Sequence, residues 1–415
     1  MSASTRSRGL AALAAIALLP LAACGGSGDT AGPGSATPSS ATADSPASGS
    51  PDAAGGDVVA EAKAAVEMNR AGTDRALPAA APKPQAGQNV WVISCLQVAE
   101  GCAVPAKGAE DAGKVMGWDM TVFDGQGAPD VYAKGIRAAI ADKADGIILD
   151  VVDCVAAKSP LEEAKAAGIK IVANYSFDCN DPLLGAGGKP LFDAEVQYEA
   201  GKSYLELVED LYSRSVADFV IAETEGKAKI IMFTQEDILV GQHLYKGFEK
   251  RIQECTGCEI VKRVPFTLQD LVTDKLQGKA TAALTQSPDA NVVYAPYDTA
   301  ITLGIGRAVT AAGRDADVLV VGGEGLTPNV GFVRDGKGQD FIAGSPSRWT
   351  GWAVADTLNR VFAGEEQVDS GIGFQTLTTD STLPKKTTYY DGNVDASGMP
   401  KQDYETNYKK IWAVS

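Results

Sequence analysis

From Asn89 to about Gly325 the chain alternates short apolar runs with longer stretches whose apolar residues recur at helical spacing. "NVWVISC" reads as a strand, "AKGAEDAGKVMG" as a helix and "WDMTVFD" as a strand. The next helix, "DVYAKGIRAAIADK", gathers Val131, Ile136, Ala139 and Ile140 on one face. "ADGIILDVVD" is a continuous apolar run closed by acids, the pattern of a strand buried on both faces. "PLEEAKAAGIKIVANYS" adds another helix and strand. The rhythm then begins afresh with "SYLELVEDLYSR" and "AKIIMFT", "GQHLYKGFEKRIQE" and "EIVKRVPF", "DLVTDKLQGKATAALT" and "ANVVYAPYD", "TAITLGIGRAVTAAG" and "DVLVVGGEG". Strands separated by helices predict parallel sheets covered on both sides. Two successive runs of similar length predict an α/β protein of two similar doubly wound lobes. Ligands of such sheets bind outside the carboxyl ends of strands, which places the candidate site in the cleft between the lobes.

Ahead of this body the pattern differs. "DVVAEAKAAVEMNR" spaces Val58, Val59, Ala62, Ala65 and Val66 as a short amphipathic helix would, and "ALPAAAPKPQAG" breaks it with Pro78, Pro82 and Pro84, so residues 57–87 read as a helix and a connector. Residues 25–56 hold no aliphatic residue larger than alanine and cannot bury enough surface to fold, so 24–56 reads as a disordered linker. The first residues carry Arg6 and Arg8, then an apolar run from Leu10 to Ala23 broken only by Pro20. That run is shorter than the roughly 20 residues of a spanning helix and suits a secretory signal over 1–23. Leu21-Ala22-Ala23-Cys24, followed by Gly25, resembles the lipobox of bacterial lipoproteins. The resemblance implies cleavage before Cys24, acylation of its thiol, and a body lipid-anchored to the outer face of the cytoplasmic membrane on a leash of about 30 Å.

The formal net charge is −16 and no basic block occurs, which argues against a nucleic-acid partner. Beyond Cys24 six cysteines remain, an even number that favours disulfides in an exported chain. Sequence neighbours pair Cys95 with Cys102 and Cys255 with Cys258, leaving Cys154 and Cys179, one of about fifteen possible connectivities. "CTGC" also has the spacing of a redox or metal motif, but the only histidine is His243, too few ligands for a zinc site. No metal and no cofactor are expected. No GxSxG, HExxH or P-loop motif appears, so the chain does not read as an enzyme. Asp150 with Asp153 is the carboxylate pair a glycoside hydrolase would need, and turnover of a glycoside would revive that reading.

"ADGIILDVVD", "AKAAGIKIVANYS", "LYKGFEKRI", "VVYAPYDTAITLGIGRAVTAAG" and "VLVVGGEG" resemble, in order and spacing, the type I periplasmic binding proteins, which include the ribose- and galactose-type sugar receptors of ABC transporters. The resemblance covers about residues 88–375. It implies two lobes joined by three crossings, near Asp193–Val196, Gly344–Pro346 and Thr376–Asp380. The first lobe would comprise 88–195 plus 324–345 and the second 196–323 plus 346–380, with 381–415 as a C-terminal extension. The same fold occurs in repressors with a helix-turn-helix at the front, a place taken here by the lipobox and linker.

The resemblance also implies a ligand set at strand ends. Asp153 falls where the family places a ligand-binding Asp, and Glu324 where an Asp is usual. Ser94 and Gln97 follow the first strand, Asp124 and Gln126 the second, and Phe266, Tyr297 and Asp298 later ones, with Trp349 near a crossing. The family's Arg falls on Leu244, with His243 and Gln242 beside it, its Asn is Tyr297, and its late Gln is Gly344, followed by Ser345. Loss of an Arg fork and two amides removes donors that make sugar recognition specific. The resemblance therefore implies a monomeric receptor delivering a small molecule, a sugar or sugar-like compound, to an ABC permease and its ATPase. The alternatives are an aromatic or nucleoside-like ligand, or signalling to a membrane sensor.

Overall fold

The computed structural model describes residues 51–185, 187–381, 383–385 and 388–414. The signal segment, Cys24 and the linker up to residue 50 lie outside the described residues. Five parallel strands form the first sheet: β1 (Asn89–Ser94), β2 (Asp119–Asp124), β3 (Gly146–Asp150), β4 (Lys170–Asn174) and β5 (Ala194–Glu195), ordered β2-β1-β3-β4-β5. The second holds β6 (Lys229–Gln235), β7 (Glu259–Phe266), β8 (Val292–Tyr294), β9 (Leu319–Glu324), β10 (Phe341–Gly344) and β11 (Gln375–Thr378), ordered β11-β10-β9-β8-β6-β7. Its pairs are parallel except β10 with β11.

Successive residues of the central strands serve opposite faces, which is why their sequences are apolar without alternation, while the edge strands β2 and β7 carry polar residues. In the first sheet Val92, Ile148 and Val172 pack on one side, and Ile93, Ile147, Leu149 and Ile171 on the other. In the second, Ile230, Met232 and Val321 face one core, and Ile231, Phe233 and Val320 another. Register brings the carboxyl ends level: Ser94 stands opposite both Asp124 and Asp150, and Asp150 opposite Asn174.

The lobe boundaries need correction. β9 pairs with β8, and β10 with β9, so residues 324–345 belong to the second sheet and not to the first lobe. The helix that follows, Ser347–Ala363, packs on the first lobe instead. A Cβ at Gly108 would meet the carbonyl oxygen of Arg348, and one at Gly351 that of Pro105, so this helix and Glu100–Val115 cross with their backbones in contact. The chain returns to the second sheet before β11, which places the third crossing at about 364–374, ahead of Thr376–Asp380. A buried strand reads alike in either sheet, and only its partner decides which lobe it completes.

The segments outside the two runs bind the lobes together. The first helix runs Pro51–Ala71, beginning inside the stretch expected to be linker. Its Val58, Ala62 and Val66 pack on Val216, Ala217 and Val220 of the second lobe. The connector then crosses to the first lobe, where Arg360 and Asn359 donate to the carbonyls of Ala80 and Pro82. Arg75 pins this passage to two others, pairing with Asp369 at 3.1 Å and donating to the carbonyls of Ile372 and Tyr198. Near the C-terminus, Tyr404–Ile411 forms a helix whose Tyr404 stacks on Trp349 at 5.3 Å, while Trp412 stacks on Trp352 at 5.7 Å.

Candidate functional site

Residues just beyond strand ends of both sheets enclose one cavity of about 110 Å³. Cys95 and Leu96 follow β1, Val151 follows β3 and Tyr175 follows β4; Pro296 and Tyr297 lie beyond β8, Glu324 ends β9 and Ser345 follows β10. Three of these residues sit in the left-handed backbone region: Val151 at φ 54°, Tyr175 at φ 52° and Glu324 at φ 118°. Such geometry costs a residue with a Cβ on the order of 1–3 kcal/mol and persists only where the surroundings impose it.

The lobes are closed over this cavity by carboxylates of the first lobe that meet helix N-termini of the second. Asp153 accepts from the N–H of Leu239 at 2.7 Å, at the start of the helix Leu239–Ile252, and from the N–H of Phe177 at 2.9 Å. Glu100 accepts from the N–H of Thr327 at 3.1 Å, at the start of Thr327–Asp335. Exposed N–H groups and the helix dipole favour an anion at both positions. Beside them, the buried His243 lies between Asp181 of the first lobe, 2.9 Å from Nε2, and Glu209 of the second, 2.6 Å from Nδ1.

Tyrosine rings and aliphatic side chains form the wall. Tyr175 stacks on Tyr198 at 6.1 Å and Tyr198 on Tyr204 at 5.4 Å, with Tyr212 and Tyr297 also lining the space. Four of the hydroxyls are occupied by the protein. Tyr175 bonds Ser345 and Thr350, Tyr198 donates to Asn174, Tyr212 to the carbonyl of Ala343, and Tyr297 to Gln235. These residues therefore offer ring surface to a ligand. Leu207, Val208, Ile238, Val240 and Leu244 continue the apolar lining, and among the described residues the only lining carboxyl group is that of Glu324.

Of the residues expected to bind ligand, Tyr297 and Glu324 line the cavity. Asp298 lies beneath, where its carboxylate accepts from the N–H groups of Gly325 and Leu326 and from Gln339, bracing the turn that carries Glu324. Ser94 donates to Asp150 and accepts from Gln97 Nε2, so both are used internally. Asp124 holds the N–H groups of Gln97 and Gln126, closing a turn that Gln126 completes at φ 52°. Asp153 and His243 join the lobes as described. Phe266 packs in the core against Phe233, and Trp349 is buried against Tyr404. Asp150, considered with Asp153 as a hydrolytic pair, is buried between Ser94 and Asn174. For the polar residues the common reason is competition: side chains at strand ends find backbone N–H groups and each other before they find the cavity, while Phe266 and Trp349 are taken up by core packing.

The sequence reading missed Tyr175, Tyr198, Tyr204 and Tyr212. Tyr175 carried a usable signal, standing directly after "IVAN" as Val151 stands after "IILD". The other three come from the crossing and the helix beyond it, whose approach to the cleft no spacing rule specifies. Leu244, where the family's Arg falls, lines the cavity; Gly344 faces the ring of Tyr390.

Six cysteines come together as the pairs Cys95–Cys102, Cys154–Cys179 and Cys255–Cys258, with Cα separations of 5.9, 5.1 and 5.4 Å. The first pair forms part of the cavity lining.

Burial raises several carboxyl groups: Asp150 to about 8, Asp298 and Asp391 to about 7, and Asp153 to about 6. A raised folded-state value means that the native protein holds protons which the unfolded chain has already released. Stability from these groups is thus full near the unfolded carboxylate range and is lost as pH rises through the folded values. Acids lowered by ion pairs, such as Asp111 and Asp369, act only below that range. Calorimetry should therefore find Tm highest near about pH 5 and falling by several degrees toward about pH 8; a Tm rising over that interval would contradict the protonated interior.

A closed, two-lobed body with its cavity at the carboxyl ends of two sheets defines a solute-binding receptor. The chain belongs to the periplasmic binding protein domain family, whose model matches residues 97–366. It has the fold of the type I periplasmic binding proteins, and the family consists of extracytoplasmic solute-binding proteins, not enzymes. Among solved structures, the arabinose-binding component of an ABC transporter from Shewanella sp. ANA-3 is 19% identical, with TM-score 0.59 over 71% of this chain and 92% of that one. The 5-methylthioribose-binding protein of Thermotoga lettingae TMO is 16% identical, with TM-score 0.60 over 78% and 98%. A Mycobacterium smegmatis solute-binding protein with bound glycerol is 19% identical, with TM-score 0.57 over 73% and 99%. No curated protein matches the chain in sequence.

Proposed function

We propose that this protein is a lipid-anchored receptor that closes its lobes around a small ligand with an aromatic or branched apolar body and presents it to an ABC permease. The observation that carries the ligand reading is the cleft wall: five tyrosines, four with their hydroxyls already bonded, and no Arg, Lys, Asn or Gln among the lining residues. A sugar brings many hydroxyl groups whose desolvation must be matched by partners, and this cleft offers few. An apolar body gains about 25 cal/mol for each Å² it buries there.

Acylated Cys24 and the Gly- and Ser-rich leash behind it would keep the receptor near its permease, as the order of charges, apolar run, small residues and cysteine in the first 24 residues suggests. Three closely placed cysteine pairs suit disulfides formed outside the cytoplasm. Among the described residues no helix is long and apolar enough to cross a membrane.

A thermal-shift screen of the chain from residue 24, carrying Cys24→Ser, tests the ligand reading. Ligand at about 100 times Kd adds roughly 2.7 kcal/mol and raises Tm by several degrees. Aromatic compounds should produce the shift and simple pentoses and hexoses should not; shifts confined to sugars would refute the reading.

A further inference from the structure

Glu324 is out of place in an apolar cleft. It ends β9 in a strained conformation between Gly323 and Gly325 and lines the cavity; the backbone N–H groups of Asp298 and Thr299 approach its carboxyl, yet Oε2 is buried without a hydrogen-bond partner among the described residues. Its Oε1 lies so close to Gly101 of the facing lobe that a Cβ there would stand 2.8 Å away. The ionisable groups around it are Asp298, Glu100, Tyr175, Tyr204, Tyr212 and Tyr297, all acidic or phenolic. Among the described residues no Lys, Arg or His lines the cavity to pair with it.

An unpaired buried acceptor is costly to leave unmet, and a carboxylate ringed by aromatic faces favours a positive charge both directly and through the ring quadrupoles. We propose that the ligand is a small organic cation, a protonated amine on an aromatic or branched apolar body, whose N–H group donates to Glu324 while the body lies against the tyrosine rings. The inference rests on the reading of the cleft given above and adds to it the charge of the ligand and the residue that selects it. Burial and Asp298 hold the Glu324 carboxyl well above its usual range. Amine binding therefore releases its proton, and affinity should rise with pH.

Isothermal titration of the full mature chain with phenethylamine and tryptamine, against neutral 2-phenylethanol, anionic phenylacetate, arabinose and galactose, decides the matter. The amines should bind about tenfold or more tightly than the alcohol or the acid, and Glu324→Gln should bring them down to the level of the alcohol. In the unaltered protein, amine affinity should climb as pH rises above the usual carboxylate range while that of the alcohol stays level. That profile remains decisive if the variant does not fold, and a flat amine profile overturns the proposal. Equal or tighter binding of the alcohol or the acid overturns the cation and leaves the aromatic cleft standing. Binding of the sugars alone overturns both. Failure of every amine to bind at millimolar concentration overturns the proposal as well.

Discussion

Trp352→Ala should cost about 3–5 kcal/mol of stability and lower Tm by on the order of 5–10 °C. Trp352 is buried in the helix Ser347–Ala363, stacked on Trp412 at 5.7 Å and edge-on to Tyr404 at 6.3 Å. The substitution leaves a cavity where the surrounding rings cannot collapse, because Trp412 is also fixed by its indole N–H, which donates to Asp356 at 2.7 Å. The loss should reach the cleft, since Thr350 on the same helix bonds the hydroxyl of Tyr175. Calorimetry of Trp352→Ala, Trp412→Ala and the double variant checks this. The double variant should lose less than the sum of the singles, because stacked rings share part of their energy. A Tm change of under about 2 °C for Trp352→Ala would show that the C-terminal helix contributes nothing to the body.

His243→Ala should shift the lobes toward an open form and weaken ligand binding. The change leaves Asp181 buried with its ring partner gone, and breaking one side of a buried pair costs about 3–5 kcal/mol. The protein has a cheaper response than unfolding, which is to part the lobes and let water reach Asp181. The cost should therefore appear mainly in the balance between closed and open forms, a shift of about 10²- to 10³-fold, and only secondarily in Tm. Small-angle scattering should give a larger radius of gyration for the variant, and apparent affinity should fall in proportion to the closed fraction. Removing the ring together with Asp181, in Asp181→Leu with His243→Leu, should cost less than the single change, since the fully buried carboxylate goes with its partner and only the partly exposed Glu209 is left for water to meet. Unchanged scattering and affinity in His243→Ala would show that the other contacts between the lobes, those of Asp153, Glu100 and Tyr175 among them, hold the closed form without it.

The alternation of apolar runs and amphipathic stretches determined the elements up to β9, and with them the parallel pairing of two sheets, because a central strand covered on both faces must be apolar along its length; the antiparallel β11 was not part of that rhythm. The strand ends determined where a ligand would sit. Tyr297 and Glu324 were legible there because each stands directly at the end of such a run. Membership of β9 and β10 in the second sheet was not legible, since pairing is a relation between distant segments and the runs themselves are alike. Nor was the fate of Ser94, Asp124, Asp153 and Asp298. Their chemistry suits a sugar equally well, and only the folded chain shows backbone N–H groups and neighbouring side chains reaching them first. Tyr175, Tyr198, Tyr204 and Tyr212 gather from a strand end, a crossing and a helix. Sequence supplied the rings, and the closing of two lobes, which buries rings from separate segments around one carboxylate, decided that they form a wall.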